Sequence, residues 1–374
     1  MAEAGGSDKA LLRMVRLLAA EGWDCHVAFP AAGPMGADFT AAGATCHLVA
    51  MRRLTGSGSG WRWLAYLLAW PVSVGRLALL ARRTGAAVVH SNSLHSWYGW
   101  AAALLVRRPH VWHAREIVVQ SRAALALERF LARHFADLVV AMSEAIAAQL
   151  DGANVKVIRD EPSPEEYSPC RAGSFRAREG IPDGVPLVGT ASRIDTWKGI
   201  DVLLEAVPHL VAARPDTVVV VAGAPVAGKE AYAAGLARQA AALGAVAWLG
   251  PRGDIAEMVA DLDVLVQAST QPEPYGLAIV EALASGTPVV ATAAGGPVEI
   301  LAGAAPSAGR LVPPGDGRAL AEAVLALLPP AAGSTEQRRA RPPLRQAAPA
   351  RWSEVFAAVA GRPPPPPVLI ANPP

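Results

Sequence analysis

Short apolar runs alternate with segments of helical spacing along most of this chain. The runs are rich in valine and show no regular polar alternation, as at 138–141, 217–223 and 263–267. Such runs are typical of strands buried on both faces of a parallel sheet. The segments between them, such as 10–21 and 201–213, place apolar residues three and four positions apart, as one face of a helix requires. The alternation therefore predicts an α/β chain with parallel strands.

The same pattern gives the individual elements. We predict strands at 23–30, 45–49, 86–90, 109–113, 138–141, 155–158, 186–190, 217–223, 246–250, 263–267, 287–292 and 309–313. We predict helices at 10–21, 99–106, 144–150, 201–213, 229–243, 276–285, 320–328 and 352–360, a helix capped by Asp254 that runs to Ala260, and a turn and helix at 295–300. Two such series indicate two doubly wound domains.

Composition and charge narrow the class of protein. A chain of 374 residues is long enough for two domains. Its 34 basic and 32 acidic residues leave a net charge of +2, so bulk charge does not favour a nucleic-acid partner. Cys25, Cys46 and Cys170 have no CxxC spacing and are predicted to be reduced thiols in a cytosolic protein. Residues 1–9 lack the basic start and apolar core of a signal peptide.

Metal ligation is not predicted. The histidines form no HExxH pattern, and His110 and His113 fall in a strand-to-loop segment. Asp261 and Asp263 have the spacing of a DxD metal motif, but they lie at the start of a predicted strand. We therefore expect no metal and no cofactor.

An apolar segment at 61–83 is rich in tryptophan and arginine. Pro71 and Arg76 interrupt it, which argues against a membrane span. It is either a helix that covers a sheet, kinked at Pro71, or a patch that contacts a membrane surface. Tryptophan and arginine are also ordinary packing residues, which favours the covering helix.

Two carboxylates bracket the start of one predicted helix. Glu273 lies in the loop before Gly276, and Glu281 lies more than one turn inside the helix. The free N–H groups of Gly276, Leu277 and Ala278 would face the crevice at the carboxyl end of a parallel sheet, and such a helix start favours phosphate. A glutamate inside the helix, behind its start, could accept both hydroxyls of a ribose. A glutamate in the loop ahead of the helix could reach a sugar. The simpler interpretation is that both glutamates are solvated helix-end charges.

The run EPYGLAIVEALASGTPVVAT, which begins at Glu273, resembles the donor-site motif of the retaining glycosyltransferases of family 4. In that motif two glutamates are separated by seven residues, and the helix is followed by a turn and a strand. The resemblance implies the GT-B fold, in which two Rossmann-like domains face a cleft. It also implies a nucleotide-sugar donor, such as a UDP- or GDP-hexose. In that family Glu281 would hold the ribose and Glu273 would orient the sugar.

Other residues gain expected roles from the same family. Arg193 and Lys198 lie in a run similar to its diphosphate-binding motif, and VWHAREI is similar to the strand-end motif that places His113 at the reacting centre. The base would be framed near Leu249 and Arg252. The loop of Gly5 and Gly6 would contact the acceptor or a phosphate.

The resemblance also predicts the domain organisation. It gives an acceptor-side domain at 1–160, a donor domain at 161–345, a helix at 346–361 that returns toward the first domain, and a proline-rich tail at 362–374 expected to be disordered. In the family a first strand precedes the Gly-Gly loop, and no such strand precedes it here. We therefore expect the first domain to be incomplete, either through truncation or because the start is assigned too late. Glu161 alters the loop between the domains.

These observations favour a retaining glycosyltransferase that moves a hexose to a glycan, a lipid-linked or a small-molecule acceptor, in cell-envelope or polysaccharide biosynthesis. The expected location is cytoplasmic, with peripheral contact at the inner membrane face. A non-catalytic or truncated paralogue that binds a nucleotide sugar is the main alternative. A sugar-nucleotide epimerase fits the residues less well.

Overall fold

The computed structural model describes residues 6–52, 60–119, 121–152, 154–329, 334–344, 351–361 and 367–372. In chain order its strands are β1 (Cys25–Phe29), β2 (Ala44–Leu48), β3 (Val88–Ser91), β4 (His110–Ala114), β5 (Leu138–Ala141), β6 (Val155–Val157), β7 (Leu187–Ala191), β8 (Val218–Ala222), β9 (Val246–Gly250), β10 (Val264–Gln267), β11 (Val289–Thr292), β12 (Gly309–Val312) and β13 (Val368–Ala371). Its helices are α1 (Gly6–Ala20), α2 (Gly36–Ala41), α3 (Gly60–Arg83), α4 (Gly99–Val106), α5 (Arg122–Phe135), α6 (Glu144–Leu150), α7 (Ser174–Glu179), α8 (Ile200–Ala213), α9 (Glu230–Leu243), α10 (Ile255–Asp261), α11 (Leu277–Ala284), α12 (Gly296–Leu301), α13 (Gly317–Leu327), α14 (Thr335–Arg339) and α15 (Trp352–Ala360).

The chain divides into two compact units. Unit 1 comprises Met1–Asp160 and Pro349–Pro374, and unit 2 comprises Glu161–Ala348. Among the described residues, each unit is built on one parallel sheet, of seven strands in unit 1 and six in unit 2. Helices connect the successive strands, as parallel pairing requires. The predicted α/β class with two doubly wound domains is confirmed.

The last strand of the sequence lies in the middle of the unit 1 sheet. The strand order is β2-β1-β13-β3-β4-β5-β6, and each neighbouring pair is parallel. Val368 aligns with Cys25 on one side and with Val88 on the other. The side chains of β13 are completely buried. Both edges of this strand are therefore hydrogen-bonded, and both of its faces lie in the core.

Two predictions for unit 1 are wrong. The sheet is not left without a central strand, and 362–374 is not a tail without structure, because Val368–Ala371 fills the central position. The sequence VLIA is short and apolar, and its stability as a strand comes from two neighbours that lie hundreds of residues earlier. The prolines that precede it obscured that signal. Residues 362–366 and 373–374 lie outside the described residues.

Helices cover both faces of the unit 1 sheet. On one face α1 and α15 bury Leu11, Val15, Trp352 and Phe356 against β1 and β13. On the other face α3 and α4 pack against Leu369 and Ala371 of β13. The central strand thus contacts both helical layers, and its removal would open the core on each side.

Helix α3 is the apolar segment at 61–83. Pro71 lies inside it, and Tyr66, Val74 and Leu77 face the core. Its Leu64–Arg83 portion has a mean hydropathy of 1.6 and is long enough to cross a membrane, but only by length and composition, and a single such helix is weak evidence. In this fold it covers the sheet with one side, as predicted.

The sheet of unit 2 has the order β12-β11-β10-β7-β8-β9, with each pairing parallel. Helices α8 and α13 contribute Leu203, Val207, Leu320 and Val324 to the main core. Strands β7 and β10 are neighbours at the centre. Because parallel strands share one carboxyl edge, the segments that follow β7 and β10 lie side by side, and these segments carry most of the predicted site residues.

Candidate active site

A tight turn brings Lys198 onto the segment that follows β10. Thr196–Lys198 forms one turn of 3₁₀ helix before α8. Gly199 comes next with a φ of 66°, and a Cβ atom there would lie 1.8 Å from the carbonyl oxygen of Ala268. Glycine alone permits so close an approach of two backbones. The contact is fixed by the amide of Thr270, which donates to the carbonyl of Trp197 at 2.8 Å.

Lys198 and Glu273 form an ion pair at this place. The Lys198 Nζ atom lies 2.7 Å from Oε2 and 3.0 Å from Oε1 of Glu273. Their side chains are only 12% and 10% exposed. The Ser269 hydroxyl donates to Oε2 at 2.9 Å, and the ammonium lies 4.0 Å from the Trp197 ring centroid, a cation–π distance. We call Lys198, Ser269 and Glu273 the unit 2 cluster. Its ammonium and carboxylate are held in one orientation in largely dry surroundings.

The start of α11 lies beside this cluster. Gly276 has a φ of 109° and immediately precedes the helix. A Cβ atom on Gly295 would lie 2.2 Å from the carbonyl oxygen of Glu273. The backbones of these two residues therefore pack directly against each other. The Oε1 atom of Gln267 is buried and has no hydrogen-bond partner among the described residues. It lies 3.6 Å from a Cβ built on Gly276. Unpaired buried acceptors of this kind are rare in folded proteins.

The other predicted donor residues have different surroundings. Leu277 and Ala278 form the first turn of α11 and are partly buried. Glu281 lies one turn further along that helix and is 8% exposed. Arg193 is exposed in the turn after β7. The structure thus joins Lys198 and Glu273 by direct contact and leaves Arg193 on the surface of the same edge.

Arg252 is engaged in an ion cluster. Its guanidinium donates to both carboxylate oxygens of Asp254 at 2.7 Å and 2.8 Å, and it lies 2.8 Å from Glu179. The hydrogen bond from Arg252 is the main cause that lowers the pKa of Asp254. Asp254 does not cap α10 through its side chain, contrary to our prediction, because its carboxylate is held by arginines. Leu249 is partly buried in β9.

In unit 1, His113 is completely buried near the end of β4. Its Nδ1 atom accepts a hydrogen bond from Nη2 of Arg115 at 3.3 Å. Burial, then the charges of Arg115 and His90, holds the pKa of His113 well below its usual range. The neutral ring therefore carries its proton on Nε2, which has no hydrogen-bond partner among the described residues. The Nε2 proton of His113 thus lies inside the fold without an acceptor among the described residues.

Arg115 is the centre of a buried polar network. Its Nη1 atom lies 2.7 Å from Oδ2 of Asp160, and its Nε donates to Oδ1 of Asn92 at 2.8 Å. The side chains of Arg115 and Asp160 are 3% and 5% exposed. Their charges therefore neutralise each other inside the fold. His110, on the same strand as His113, is bonded through both ring nitrogens, to Ser91 and to the carbonyl of Phe135.

The predicted acceptor loop is only partly described. Gly5 lies outside the described residues, and Gly6 is the exposed first residue of α1. A pocket of about 240 Å³ lies beside the start of this helix, lined mainly by apolar residues that include Phe29, Met35 and Phe39. Asp8 contributes a carboxylate to its wall.

Two family models match the sequence. Residues 5–159 match the glycosyl transferase 4-like domain, and residues 173–339 match the glycosyl transferases group 1 domain. Together the two matches include His113, the unit 2 cluster and α11. This chain belongs to the group 1 glycosyltransferase family. The resemblance inferred from the sequence is thereby confirmed.

Individual proteins similar to this chain are also named as glycosyltransferases. A D-inositol 3-phosphate glycosyltransferase of Stackebrandtia nassauensis is 34% identical over 56% of this chain and 53% of its own length. The lipopolysaccharide core biosynthesis mannosyltransferase LpsB of Rhizobium meliloti is 28% identical over 54% of this chain and 57% of its own. The chain spans about half the length of the curated relatives it matches. The crystal structure of Anabaena HepE in complex with UDP and glucose has a TM-score of 0.75 and 25% identity over 97% of this chain and 93% of HepE.

Sequence reasoning missed several residues of this region. Gln267 is the last residue of β10 and Ser269 lies two positions after it, yet a glutamine and a serine at a strand end carry no distinctive signal. Arg115 stands two positions after His113, and that spacing on a strand end was a usable sign of contact. Asn92 follows β3, and Asn372 follows β13, a strand that was not predicted.

Proposed function

We propose that this chain is a retaining glycosyltransferase that takes a hexose from a nucleotide-diphosphate sugar. The observation that carries the proposal is the Lys198–Glu273 pair beside the start of α11, with Nζ and Oε2 2.7 Å apart. A cation and helix amides suit a diphosphate, and a carboxylate suits sugar hydroxyls. The complex of HepE with UDP and glucose supports a UDP-hexose as the first donor to test.

Each residue has a stated role in this proposal. Lys198, Arg193 and the amides at Gly276, Leu277 and Ala278 stabilise the charge that develops on the leaving diphosphate. Glu273 accepts hydrogen bonds from the sugar, and Glu281 accepts them from the ribose. His113 donates its Nε2 proton to the reacting sugar or the acceptor. The charge on the leaving group is carried by side chains and amides, so no metal ion or cofactor is part of this proposal.

For the acceptor we propose a glycan or a lipid-linked glycan. The name of LpsB, a lipopolysaccharide core mannosyltransferase, supports this class. The pocket between α1 and α2 offers apolar walls and the carboxylate of Asp8. Two of its lining residues, Met35 and Phe39, are themselves buried. That setting suits the ring face of a sugar together with one of its hydroxyls.

We further propose that the protein works in the cytoplasm and touches the inner membrane face through α3. One side of this helix exposes five large apolar residues at 48–67%, namely Leu64, Leu67, Leu68, Val72 and Leu79. The helix has no acidic residue, and Arg76, Arg82 and Arg83 add positive charge in its second half. An apolar side combined with basic residues suits an anionic lipid surface.

The competing proposal is a protein that binds a nucleotide sugar without turnover. Its main support was the missing first strand, and that support is gone because β13 fills the position. The altered Glu161 remains, and its carboxylate accepts a hydrogen bond from the Tyr275 hydroxyl at 3.2 Å.

The deciding experiment measures binding and turnover of UDP-, GDP- and ADP-hexoses by the full chain. Binding with release of nucleoside diphosphate supports the enzyme, and binding without release supports the competing proposal. No binding of any donor would contradict both. Proton NMR of the released sugar then tests retention, because a retaining enzyme keeps the anomeric configuration of the donor. In Glu281→Gln we expect donor affinity to fall at least tenfold, and unchanged affinity would remove the ribose role.

A further inference from the structure

The carboxyl end of β13 enters a hydrogen-bonded chain of polar side chains in unit 1. Asn372 follows the strand, is 6% exposed, and donates its backbone N–H to the carbonyl of Ala28 at 3.0 Å. Its side-chain Nδ2 donates to Oδ1 of Asp8 at 3.1 Å, and its Oδ1 accepts from Nδ2 of Asn92 at 2.9 Å. The same Asn92 accepts from Arg115. One chain of hydrogen bonds therefore runs from α1 through the last strand to Arg115.

The direction of every bond in this chain is fixed by its two ends. Arg115 can only donate, so the side chain of Asn92 must present its oxygen to Arg115 and its NH₂ to Asn372. The carboxylate of Asp8 can only accept, so Asn372 must present its NH₂ to Asp8 and its oxygen to Asn92. Both amides satisfy the two requirements at once. The two amide side chains therefore have a single consistent orientation. A fully satisfied network of this kind holds its side chains in place.

The far end of the chain is His113. Arg115 lies against Nδ1 of the imidazole at 3.3 Å and is held from its other sides by Asn92 and Asp160. The position of the guanidinium therefore decides that the imidazole proton stays on Nε2. Loss of the bond to Asn92 would leave the guanidinium anchored mainly by Asp160 and free to move away from the imidazole.

We propose that Asn372 is a positioning residue, which acts through Asn92 and Arg115 to hold His113 with its proton on Nε2. The proposal rests on the function proposed above for His113. Under this proposal β13 contributes to the site, because Asn372 at its carboxyl end supplies the amide that links Asp8 to Asn92. Neither the strand nor this asparagine has a counterpart in the predicted site.

The first test is Asn372→Ala in the full chain, with steady-state kinetics on a UDP-hexose. We expect kcat to fall about tenfold to a hundredfold, as for a slightly misplaced catalytic group, while KM for the donor stays within about twofold. The control is Asn154→Ala. Its amide also bonds within unit 1, to the carbonyl of Ala136 at 2.9 Å, but it is not part of this chain of hydrogen bonds. The control should keep its kcat even if it loses as much stability.

A second pair of variants tests the direction of the bonds. Asn372→Asp alone places a carboxylate about where the amide faces Asp8, and like charges there should lower kcat. The double variant Asp8→Asn/Asn372→Asp restores a donor opposite an acceptor and still accepts from Asn92. We expect the double variant to regain, in hydrolysis of the UDP-hexose without an acceptor, most of the rate that Asn372→Asp loses, because the acceptor contact proposed for Asp8 does not enter that reaction. This comparison decides the question even if Asn372→Ala does not fold.

A third readout does not depend on activity. ¹⁵N NMR of the imidazole nitrogens, assigned with His113→Gln, should show His113 with its proton on Nε2 in the wild type and a shifted signal in Asn372→Ala. An unchanged His113 signal, or a loss of kcat that is equal in Asn154→Ala, would overturn the inference. Absence of turnover in the wild type would instead overturn the proposed function, and the NMR comparison would then judge the positioning role by itself.

Discussion

The ammonium of Lys198 lies within 3.0 Å of both carboxylate oxygens of Glu273, although 75 positions separate the two residues. The contact depends on the turn at Gly199 and on the adjacent positions of β7 and β10 in the sheet. Both side chains come from loops at the carboxyl edge, where parallel sheets bind ligands. The pair therefore lies at the edge of the unit 2 sheet where a ligand site is expected.

Removal of the lysine should cost both stability and donor affinity. In Lys198→Ala the carboxylate of Glu273 stays largely buried without its cation, so we expect the unfolding free energy to fall by about 2–3 kcal/mol. Donor affinity should fall at least tenfold. Denaturant unfolding and calorimetric titration with a UDP-hexose measure the two effects. The control Lys156→Ala removes an exposed charge from β6 and should change neither.

The double variant Lys198→Ala/Glu273→Ala separates the two effects. It removes the unpaired charge, so stability should recover relative to the single variant, whereas donor affinity should stay low. If the double variant bound donor as well as the wild type does, the pair would have a structural role only.

The turn at Gly199 should not tolerate a side chain. A Cβ atom there would lie 1.8 Å from the backbone of Ala268, so Gly199→Ala should displace Lys198 and abolish donor binding. Gly244 is a matched control, because it has a φ of 70° and nothing within 4 Å of its Cβ position. Gly244→Ala should lose only about 1 kcal/mol of unfolding free energy, from the left-handed backbone conformation. Equal donor affinities in the two variants would show that the close approach at Gly199 does not position Lys198.

The central strand β13 should contribute strongly to the stability of unit 1. Ile370 is fully buried, and Ile370→Ala should lower the unfolding free energy by about 2–5 kcal/mol. Leu48 in β2 is 68% exposed, so Leu48→Ala should change it by no more than about 0.5 kcal/mol. Urea unfolding of both variants tests the placement. Similar small effects would mean that the last strand does not occupy the sheet.

His90 is expected to reduce stability. It is completely buried among His113, Trp352 and Phe356, and neither ring nitrogen has a hydrogen-bond partner in the described part of the chain. Replacement by an apolar side chain removes that cost, so His90→Leu should raise the unfolding free energy at pH 7.5 by about 1–2 kcal/mol. His209→Leu, at an exposed position of α8, is the control and should have little effect. A destabilised His90→Leu protein would point to a functional partner for this ring.

Stability should also decline with acid. Burial lowers the pKa of His110 to about 4 and holds that of His90 well below its usual range. The unfolded chain binds these protons near pH 6.5, whereas the folded chain resists them. Stability is therefore full above about pH 6.5 and falls as the pH drops toward 4, by up to about 1.4 kcal/mol per pH unit for each histidine. Urea unfolding at pH 7.5, 6 and 5 measures the slope, which should be shallower in His90→Leu. Identical pH slopes in the wild type and in His90→Leu would contradict the lowered pKa of His90.

The sequence was informative wherever one local pattern fixed the structure. Short apolar runs located β5 and β9 with their observed bounds, because such a run carries its strand signal within its own residues. The spacing of Glu273, Gly276 and Glu281 likewise located the start of α11. Lys198 was assigned to the same edge, but its direct pairing with Glu273 could not be read from residues so far apart in the sequence.

The failures have more than one physical cause. The strand Val368–Ala371 is stabilised by β1 and β3, which lie far away along the chain, and its four residues carry too weak a pattern to predict. Asp254 was predicted to cap a helix, and it binds Arg252 instead, because a nearby guanidinium competes with the backbone for its carboxylate. Helices α2, α5, α7 and α14 were also not predicted.

The most direct measurement of the central claim is the rate at which the full chain releases nucleoside diphosphate from UDP-, GDP- and ADP-hexoses, compared with Lys198→Ala and Lys156→Ala. We predict release from at least one donor by the wild type and by Lys156→Ala, and a loss of at least tenfold in Lys198→Ala. Equal rates in all three proteins, or no release from any donor by the wild type, would contradict the account.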